Sequence, residues 1–232
     1  MLLKVLKPQS SNLNFFVYLT LSCVLIGLKV PAVLQSISVT LLLFKIHSST
    51  FVFVFRFFGV MGTIFSFVTS DVHSKIAILQ HHLASGVGDH YKTVEDMIEY
   101  EVANEIVMRD TKAGEQPSGS RTLLRLHRAL EFLILLFREM AQSSADSAES
   151  FSALVGRAYS STLANHHSWF VRSAVSVALY AVPSRNSLVQ RLDPEGCEER
   201  IIDRLNAAVL AMQPVYDRIQ TLYLDKDLLH LP

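Results

Sequence analysis

Three arginines share one stripe of a predicted helix in the stretch SRTLLRLHRALEFLILLF, which runs from Ser120 to Phe137. Arg121, Arg125 and Arg128 are offset by zero, four and seven residues, so their side chains lie within roughly 60° of one another on a helix of 3.6 residues per turn. Burying three guanidinium groups is costly unless anions pair with them. Planar arginine suits phosphate or carboxylate best, so the stripe indicates either protein carboxylates or a bound anion.

The same stripe continues into apolar residues at Phe132, Leu135 and Leu136. A ligand that faced the whole stripe would be anionic at one end and apolar at the other. The alternative is a solvated rim, on which the arginine stems pack against apolar neighbours while the charges stay in water.

A second pair of charges, Asp71 and Lys75, lies four residues apart in VTSDVHSKIAIL. This spacing places both on one helical face with the acid N-terminal to the base, the favourable order for a surface ion pair. The functional alternative is that Asp71 accepts hydrogen bonds from ligand hydroxyl or amide groups and Lys75 adds a cation for an anionic head group.

Histidines occur in two adjacent pairs, His81 with His82 and His166 with His167, the second just before the single tryptophan, Trp169. No metal-ligand spacing accompanies them, so a metal site is not predicted, and a half-buried histidine near a helix start is the ordinary alternative. The sequence also contains no nucleophile elbow, phosphate-binding glycine loop or dinucleotide fingerprint. Nothing in it requires an enzyme or a cofactor.

Charge is balanced over the 232 residues, with 21 basic and 21 acidic side chains, which argues against a general nucleic-acid binder. The distribution is uneven, because no Asp or Glu precedes Asp71. The cysteines, Cys23 and Cys197, show no metal or redox spacing and mildly favour a reducing compartment.

The acid-free part contains three apolar runs, Phe15–Leu28, a second that ends at Phe44, and Phe51–Val68. The first two are shorter than the roughly 20 residues of a spanning helix, and the third carries Arg56, two glycines and a serine. Three interpretations remain open for this part: a membrane anchor, a targeting segment, or a sequence that does not belong to the folded domain.

From Asp71 onward, apolar residues recur at helical spacing without the alternation typical of strands, which predicts an all-α domain. Turn-forming stretches such as SGVGDH and LDPEG separate the elements. The predicted helices are Val60–Leu83, Tyr91–Thr111, Ser120–Ala141, Ala148–Asn165, Trp169–Tyr180, Arg185–Arg191, Cys197–Met212 and Pro214–Tyr223.

Four stretches, GTIFSFVTSDVHSK, SRTLLRLHRAL, LANHHSWFVRSAV and the C-terminal LYLDKDLLHLP, together resemble the glycolipid transfer protein family in order, spacing and end point. The resemblance runs from about Arg56 to Pro232. It implies a two-layer helical sandwich that holds one sphingolipid, with the head group at the surface and the chains in an apolar pocket. It also implies a monomer that moves lipid between membranes without catalysis and without a cofactor, from the cytosol and with peripheral membrane association.

The resemblance assigns roles to five residues. Asp71 falls on the family's amide-binding acid and Lys75 on its phosphate-binding lysine. Arg121 and Arg125 fall on two phosphate-binding arginines, and His167 on the histidine that helps to hold the ceramide amide. The glycolipid-binding branch has a sugar-stacking tryptophan in the helix that here carries arginine and leucine, so ceramide 1-phosphate is the expected ligand. Arg128 is expected to form a supporting ion pair instead of touching the ligand.

The resemblance does not extend to residues 1–55. The family's first helix, which lines the pocket, and the tryptophan that follows it are not found there, so a domain is predicted at 56–232 behind an atypical apolar leader. The leader is a membrane anchor, a targeting segment or a variant start from an imperfect gene model. The alternative functions are a sphingolipid-binding or sensor protein anchored to a membrane through residues 15–68, and lipid hydrolysis at His166 and His167.

Overall fold

The computed structural model describes residues 48–62, 66–143 and 149–232. Within these ranges the secondary structure is helical and contains no strand, which confirms the predicted all-α class. The apolar runs predicted between Phe15 and Phe44 lie outside the described residues.

The described chain folds into α-helices joined by short loops and 3₁₀ segments. The 3₁₀ segments are Gly88–Tyr91, Ala164–His166 and Leu179–Ala181. The α-helices are α1 (Ser48–Val60), α2 (Ser66–Ala84), α3 (Val94–Ala103), α4 (Gly119–Gln142), α5 (Phe151–Ser161), α6 (Trp169–Ala178), α7 (Arg185–Leu192) and α8 (Glu198–Asp225).

Five of these helices begin at a Ser or Thr whose side-chain oxygen accepts a hydrogen bond from the backbone N–H three residues later. Such caps satisfy one of the otherwise unpaired N–H groups at a helix start and fix where the helix begins. The caps are Thr93, Ser118, Ser150, Ser168 and Ser184. They explain why α4, α6 and α7 begin within one residue of their predicted starts.

The predicted helix Val60–Leu83 is wrong at its start, because α1 ends at Val60 and α2 begins at Ser66. Gly62 follows α1 with a φ of 96°, a left-handed conformation that glycine adopts without strain and that cannot continue a right-handed helix. α1 also crosses the boundary predicted between residues 55 and 56. Its Phe53, Val54 and Phe57 are buried in the core, so the folded part includes residues before 56.

The predicted helix Tyr91–Thr111 is too long at both ends. Tyr91 closes a 3₁₀ segment, and the Thr93 cap starts α3 one residue later. At the other end Glu105 has a φ of 56°, which ends the helical path shortly after Ala103. A loop from residue 104 to residue 118 therefore connects α3 to α4.

The predicted break at Pro214 is wrong, because α8 continues through this proline from Glu198 to Asp225. A proline inside a helix removes one backbone hydrogen bond and is costly in isolation. Here buried residues continue at helical spacing on both sides of it, which packs the whole helix against the core. These residues are Ile201, Leu205, Ala208, Met212, Val215, Ile219 and Tyr223.

The predicted helix Ala148–Asn165 is observed as the shorter α5, which is followed by the 3₁₀ segment Ala164–His166. Ala148 lies outside the described residues. The change from α-helix to 3₁₀ helix just before His167 turns the chain toward α6.

Two groups of buried apolar residues form the core. One joins α1, the second half of α4, α5, α7 and the first half of α8. The other joins α2, α3, the first half of α4, the second half of α8 and the C-terminal Leu228 and Leu231. α4 and α8 take part in both groups and connect them.

The third apolar run, Phe51–Val68, is divided between α1 and α2. None of the helices in the described ranges has the length and apolar character needed to cross a membrane.

Candidate functional site

An apolar cavity of about 270 Å³ lies among six helices. Hydrocarbon side chains make up almost all of its wall, including Val54 and Phe58 of α1, Ile76 of α2, Leu130 of α4, Val175 of α6 and Ile219 of α8. α1 thus supplies a wall that the sequence analysis did not find in residues 1–55. An enclosed surface of this kind suits hydrocarbon chains, because burial removes them from water without asking for hydrogen bonds.

His167 is one of the few polar side chains in the wall of the apolar cavity. It follows the 3₁₀ segment in an extended conformation, and Ser168 directly after it caps α6. Its Nδ1 lies 2.9 Å from the hydroxyl oxygen of Tyr159, and both side chains line the cavity. Burial lowers the pKa of His167, so the neutral imidazole is favoured at neutral pH.

Asp71 and Lys75 form an ion pair on α2, beside His167. The Lys75 side chain is 15% exposed, whereas that of Asp71 is 62% exposed. After the larger effect of burial, Asp71 raises and Lys75 lowers the pKa of His167. Asp71 and Lys75 therefore interact electrostatically with His167, and of the three residues His167 lines the cavity.

Arg121 lies in the first turn of α4 and reaches back over the loop 104–118. Its Nη2 donates to the carbonyl oxygen of Arg109 at 3.1 Å and lies 3.4 Å from Thr111 Oγ1. Its Nε is buried and has no hydrogen-bond partner among the described residues. A buried unpaired donor is unfavourable, so Arg121 retains one donor for a further acceptor.

Arg125 lies one turn further along α4 and is exposed. In the part of the chain that the structure describes, it has neither a hydrogen bond nor an ion pair. Its charge helps to lower the pKa of Arg128, although burial of Arg128 is the larger cause. The two guanidinium groups therefore lie close together, as the spacing on the stripe predicts.

Arg128 does not form the predicted ion pair with any residue in the described ranges. Arg128 is 8% exposed, and its Nη2 donates to the carbonyl oxygens of Leu229 at 3.0 Å and Leu231 at 2.7 Å. Burial of Leu228 and Leu231 brings these carbonyl groups to α4. Backbone carbonyl oxygens thus compensate the buried guanidinium where a carboxylate was expected.

His82 and His166 differ in their surroundings. His82 Nε2 lies 2.8 Å from the carbonyl oxygen of Pro117, and its ring stacks on Tyr91. His166 is exposed, and its pKa is lowered by partial burial and by the charges of Arg128 and His167. Across the described ranges no three His, Cys, Asp or Glu side chains are arranged to hold a metal ion.

Sequence reasoning missed two residues that contact the predicted site, Tyr159 and Thr111. Tyr159 precedes His167 by eight residues and reaches it only because a 3₁₀ segment turns the chain between them. Thr111 lies in an irregular loop that periodicity does not describe. Neither residue belongs to a motif.

Comparison with known proteins adds independent findings. The family model "Glycolipid transfer protein (GLTP)" matches residues 48–194. A rat (Rattus norvegicus) ceramide-1-phosphate transfer protein is 40% identical over 179 residues, which cover 76% of this chain and 82% of that protein.

Solved structures show the same fold. The crystal structure of human ceramide-1-phosphate transfer protein in complex with 12:0 ceramide-1-phosphate superposes with a TM-score of 0.68 and 36% identity, over 76% of this chain and 84% of that one. The apo form of the mouse protein gives a TM-score of 0.64 and 39% identity over 76% and 84% of the two chains. The predicted helical sandwich with an apolar pocket is thereby confirmed. Family model, sequence identity and shared fold together establish that this chain belongs to the glycolipid transfer protein family.

Proposed function

We propose that this protein carries ceramide 1-phosphate between membranes and releases it chemically unchanged. The observation that supports this most strongly is the junction at His167, where an apolar cavity meets the charges of Asp71 and Lys75. A ligand that matches both sides of the junction has a charged head group joined to hydrocarbon. Relatives named ceramide-1-phosphate transfer proteins, 37 to 40% identical to this chain, support the same ligand.

Three cations are available for the phosphate. Among the described residues, Arg121 has a buried donor without a partner, Arg125 is exposed without a bonded acid, and Lys75 has an ion pair with Asp71 alone. Hydrogen bonds between charged groups and phosphate oxygens are short and directional, so these side chains would select the head group. A bound phosphate would also reduce the repulsion between Arg121 and Arg125.

Asp71 and His167 suit the amide and hydroxyl of the sphingoid backbone. An ionised Asp71 is an acceptor for amide N–H and hydroxyl groups. If the Tyr159 hydroxyl donates to His167 Nδ1, the neutral imidazole carries its proton on Nε2 and donates to the amide carbonyl. Glycerolipids lack the amide, so this pair would favour sphingolipids.

α6 suits a membrane-docking role because it is apolar on two sides. Val171, Val175 and Ala178 line the cavity on one side. The outer face of α6 consists of Trp169, Phe170, Val177 and the adjoining Tyr180, which are 66 to 92% exposed. Large apolar side chains grouped on one exposed helix face are typical of contact with a bilayer interface. We propose that this face docks transiently, so that a cytosolic protein associates peripherally with membranes and acts as a monomer.

The second candidate is a sphingolipid-binding or sensor protein that stays attached to one membrane. The apolar, acid-free composition of the first 70 residues favours it, and the apolar runs that precede α1 would then act as the anchor. Carbonate extraction of membranes separates the two candidates. Release of the full-length protein into the supernatant rejects the anchor, and retention in the pellet rejects the free carrier.

Transfer between vesicles tests the main proposal. Donor vesicles would carry fluorescent ceramide 1-phosphate or a neutral glycosphingolipid, and wild type would be compared with Arg125→Leu and Arg138→Leu. Arg138 is a matched control, since it lies on the same helix and bonds only to Gln213 among the described residues. We expect selective transfer of ceramide 1-phosphate that Arg125→Leu weakens and Arg138→Leu does not, and recovery of intact lipid after long incubation. Equal transfer of both lipids would contradict the proposed ligand, and lipid breakdown would contradict a carrier.

A further inference from the structure

We propose that Glu101 is a positioning residue for the phosphate site, acting by joining the two ends of the loop 104–118 that holds Arg121. The inference deepens the proposed function and rests on the phosphate-binding role of Arg121. Glu101 lies in the last turn of α3, and the loop returns to it at the start of α4.

Glu101 is completely buried and accepts four hydrogen bonds. Its donors are the hydroxyl of Tyr91 at 3.0 Å, the hydroxyl of Ser118 at 2.5 Å, and the backbone N–H groups of Gly119 at 2.7 Å and Ser120 at 2.9 Å. A buried carboxylate is tolerated only when such donors replace its hydration. Its position is therefore tightly determined.

These contacts use the anion-binding capacity of the α4 N-terminus. The first N–H groups of a helix are unpaired and carry partial positive charge, which makes them a site for phosphate in many proteins. Here Glu101 occupies the N–H groups of Gly119 and Ser120, and the Ser118 hydroxyl oxygen accepts from Arg121 N–H at 3.1 Å. A lipid phosphate would consequently depend on side chains such as Arg121.

The fit around the start of α4 is close. A Cβ added to Gly119 would lie 2.7 Å from Met97 Sδ and 3.3 Å from Glu101 Oε1, so a larger residue here would require neighbouring side chains to move. From the other side, the Tyr223 hydroxyl of α8 donates to the Ser120 carbonyl oxygen at 2.7 Å. The helix start is therefore held by α3 and α8 together.

The path from Glu101 to the phosphate site runs through the loop. Glu101 and Ser118 join the loop ends, and an Arg109–Glu115 ion pair at 3.1 Å links residues within it. The Arg109 carbonyl oxygen and Thr111 Oγ1 then hold Arg121 Nη2. With Nη2 held, the direction of the unpaired Nε–H follows from the position of the loop.

The experiment compares binding of ceramide 1-phosphate and uncharged ceramide with the same chains, measured with the full chain of wild type, Arg121→Leu, Glu101→Gln and the double variant. Glu101→Gln keeps the shape of the side chain, but its amide NH₂ faces groups that donate hydrogen bonds to the Glu101 carboxylate. We expect the preference for ceramide 1-phosphate to fall roughly tenfold, as for loss of one charge-assisted hydrogen bond, while ceramide affinity stays unchanged. In the Arg121→Leu background, Glu101→Gln should cause no further fall.

Asp193→Asn is the matched control for lost stability. Asp193 is also buried and accepts from Cys197 N–H and from Arg200, at the start of α8 and with no contact to the predicted head-group residues. We expect this variant to lose stability without losing phosphate preference. An equal fall of the preference in Asp193→Asn would overturn the positioning role, because it would indicate a general effect of destabilisation.

The outcomes separate the two proposals. If wild type shows no preference for ceramide 1-phosphate, the proposed function fails. Suppose that wild type prefers ceramide 1-phosphate and that Arg121→Leu removes this preference. The positioning role alone is then overturned if Glu101→Gln retains the preference, or if the effects of Glu101→Gln and Arg121→Leu add in the double variant. Should Glu101→Gln fail to fold, Ser118→Ala removes one donor and the helix cap. We expect it to lower the preference about threefold, as for a weaker neutral contact, and an unchanged preference would overturn the inference.

Discussion

The polar rim and the apolar cavity of this site are built in opposite ways. The rim residues, which are Asp71, Lys75, Arg121, Arg125 and His167, come from distant parts of the chain, and several retain exposed surface or free donors. The cavity wall comes from six helices and consists almost wholly of hydrocarbon. Directional groups with free donors can distinguish head groups, whereas a hydrocarbon wall cannot.

The same contrast occurs along α4. Arg121, Arg125 and Arg128 lie in its first half, while residues from Leu123 to Leu133 on the same helix line the cavity. One helix thus spans the boundary between charge and hydrocarbon. Head-group selectivity and overall lipid affinity are therefore separable, since burial of the lipid chains contributes about 0.8 kcal/mol per methylene whatever the head group.

The largest effect is expected from removing two rim cations together. In Lys75→Leu/Arg125→Leu, we predict that affinity for ceramide 1-phosphate falls by about a hundredfold or more, because each charge-assisted hydrogen bond contributes about 1.5 to 3 kcal/mol. Ceramide affinity should stay within a few-fold of wild type. Fluorescence binding assays with both lipids measure this, with Arg138→Leu as the control. Equal losses of affinity for both lipids would contradict the claim that the rim selects the head group while the cavity binds the chains.

A smaller effect is expected from filling the cavity. Ala129 lines it, and Ala129→Phe would occupy space that the lipid chains need. We predict a loss of about tenfold for ceramide 1-phosphate and ceramide alike, of the size expected for burying fewer methylenes. Longer acyl chains should be affected more than shorter ones. Binding of an acyl-chain series measures the change, and a loss limited to the phosphorylated lipid would contradict the assignment of this region.

Loss of the contact between Tyr159 and His167 should weaken the binding of both sphingolipids by less than filling the cavity does. Tyr159→Phe removes the hydroxyl that lies 2.9 Å from His167 Nδ1. We predict a loss of about fivefold for both sphingolipids, as for one neutral hydrogen bond, because the imidazole is no longer oriented toward the amide. Phosphatidic acid, which has a phosphate but no amide, should bind as weakly to the variant as to wild type. A change in phosphatidic acid binding would indicate that Tyr159 acts on the phosphate instead.

The smallest effect on binding is expected outside the site. Trp169 is 74% exposed on the outer face of α6. We predict that Trp169→Ala slows transfer between vesicles about threefold through weaker membrane contact, while affinity for detergent-solubilised lipid stays unchanged. Vesicle flotation and the transfer rate are measured together. Weakened lipid affinity in detergent would show that the outer face also shapes the cavity.

Local signals predicted part of the fold and missed what depends on packing. α4 and α7 were predicted to within a residue or so, since a serine cap and an amphipathic pattern agree at each. Pro214 suggested a helix break, but buried residues on both sides of it keep α8 continuous. The helix α1, which crosses the predicted boundary between residues 55 and 56, was not predicted, because it has few polar residues to mark a helix face.

The candidate site divides in the same manner. Asp71 with Lys75 and Arg121 with Arg125 share helix faces by simple four-residue spacing, and the family resemblance gave them roles that remain predictions. The carbonyl partners of Arg128 could not be predicted, because they come from backbone about a hundred residues later in the chain. The Arg121 contacts with the loop 104–118 also escaped prediction, since irregular backbone follows no period.

A crystal structure of this protein with ceramide 1-phosphate tests the central claim most directly. We expect phosphate oxygens within about 3 Å of Lys75, Arg121 and Arg125, the amide between Asp71 and His167, and the chains in the cavity. A phosphate bound away from α4, or chains lying outside the cavity against α6, would contradict it.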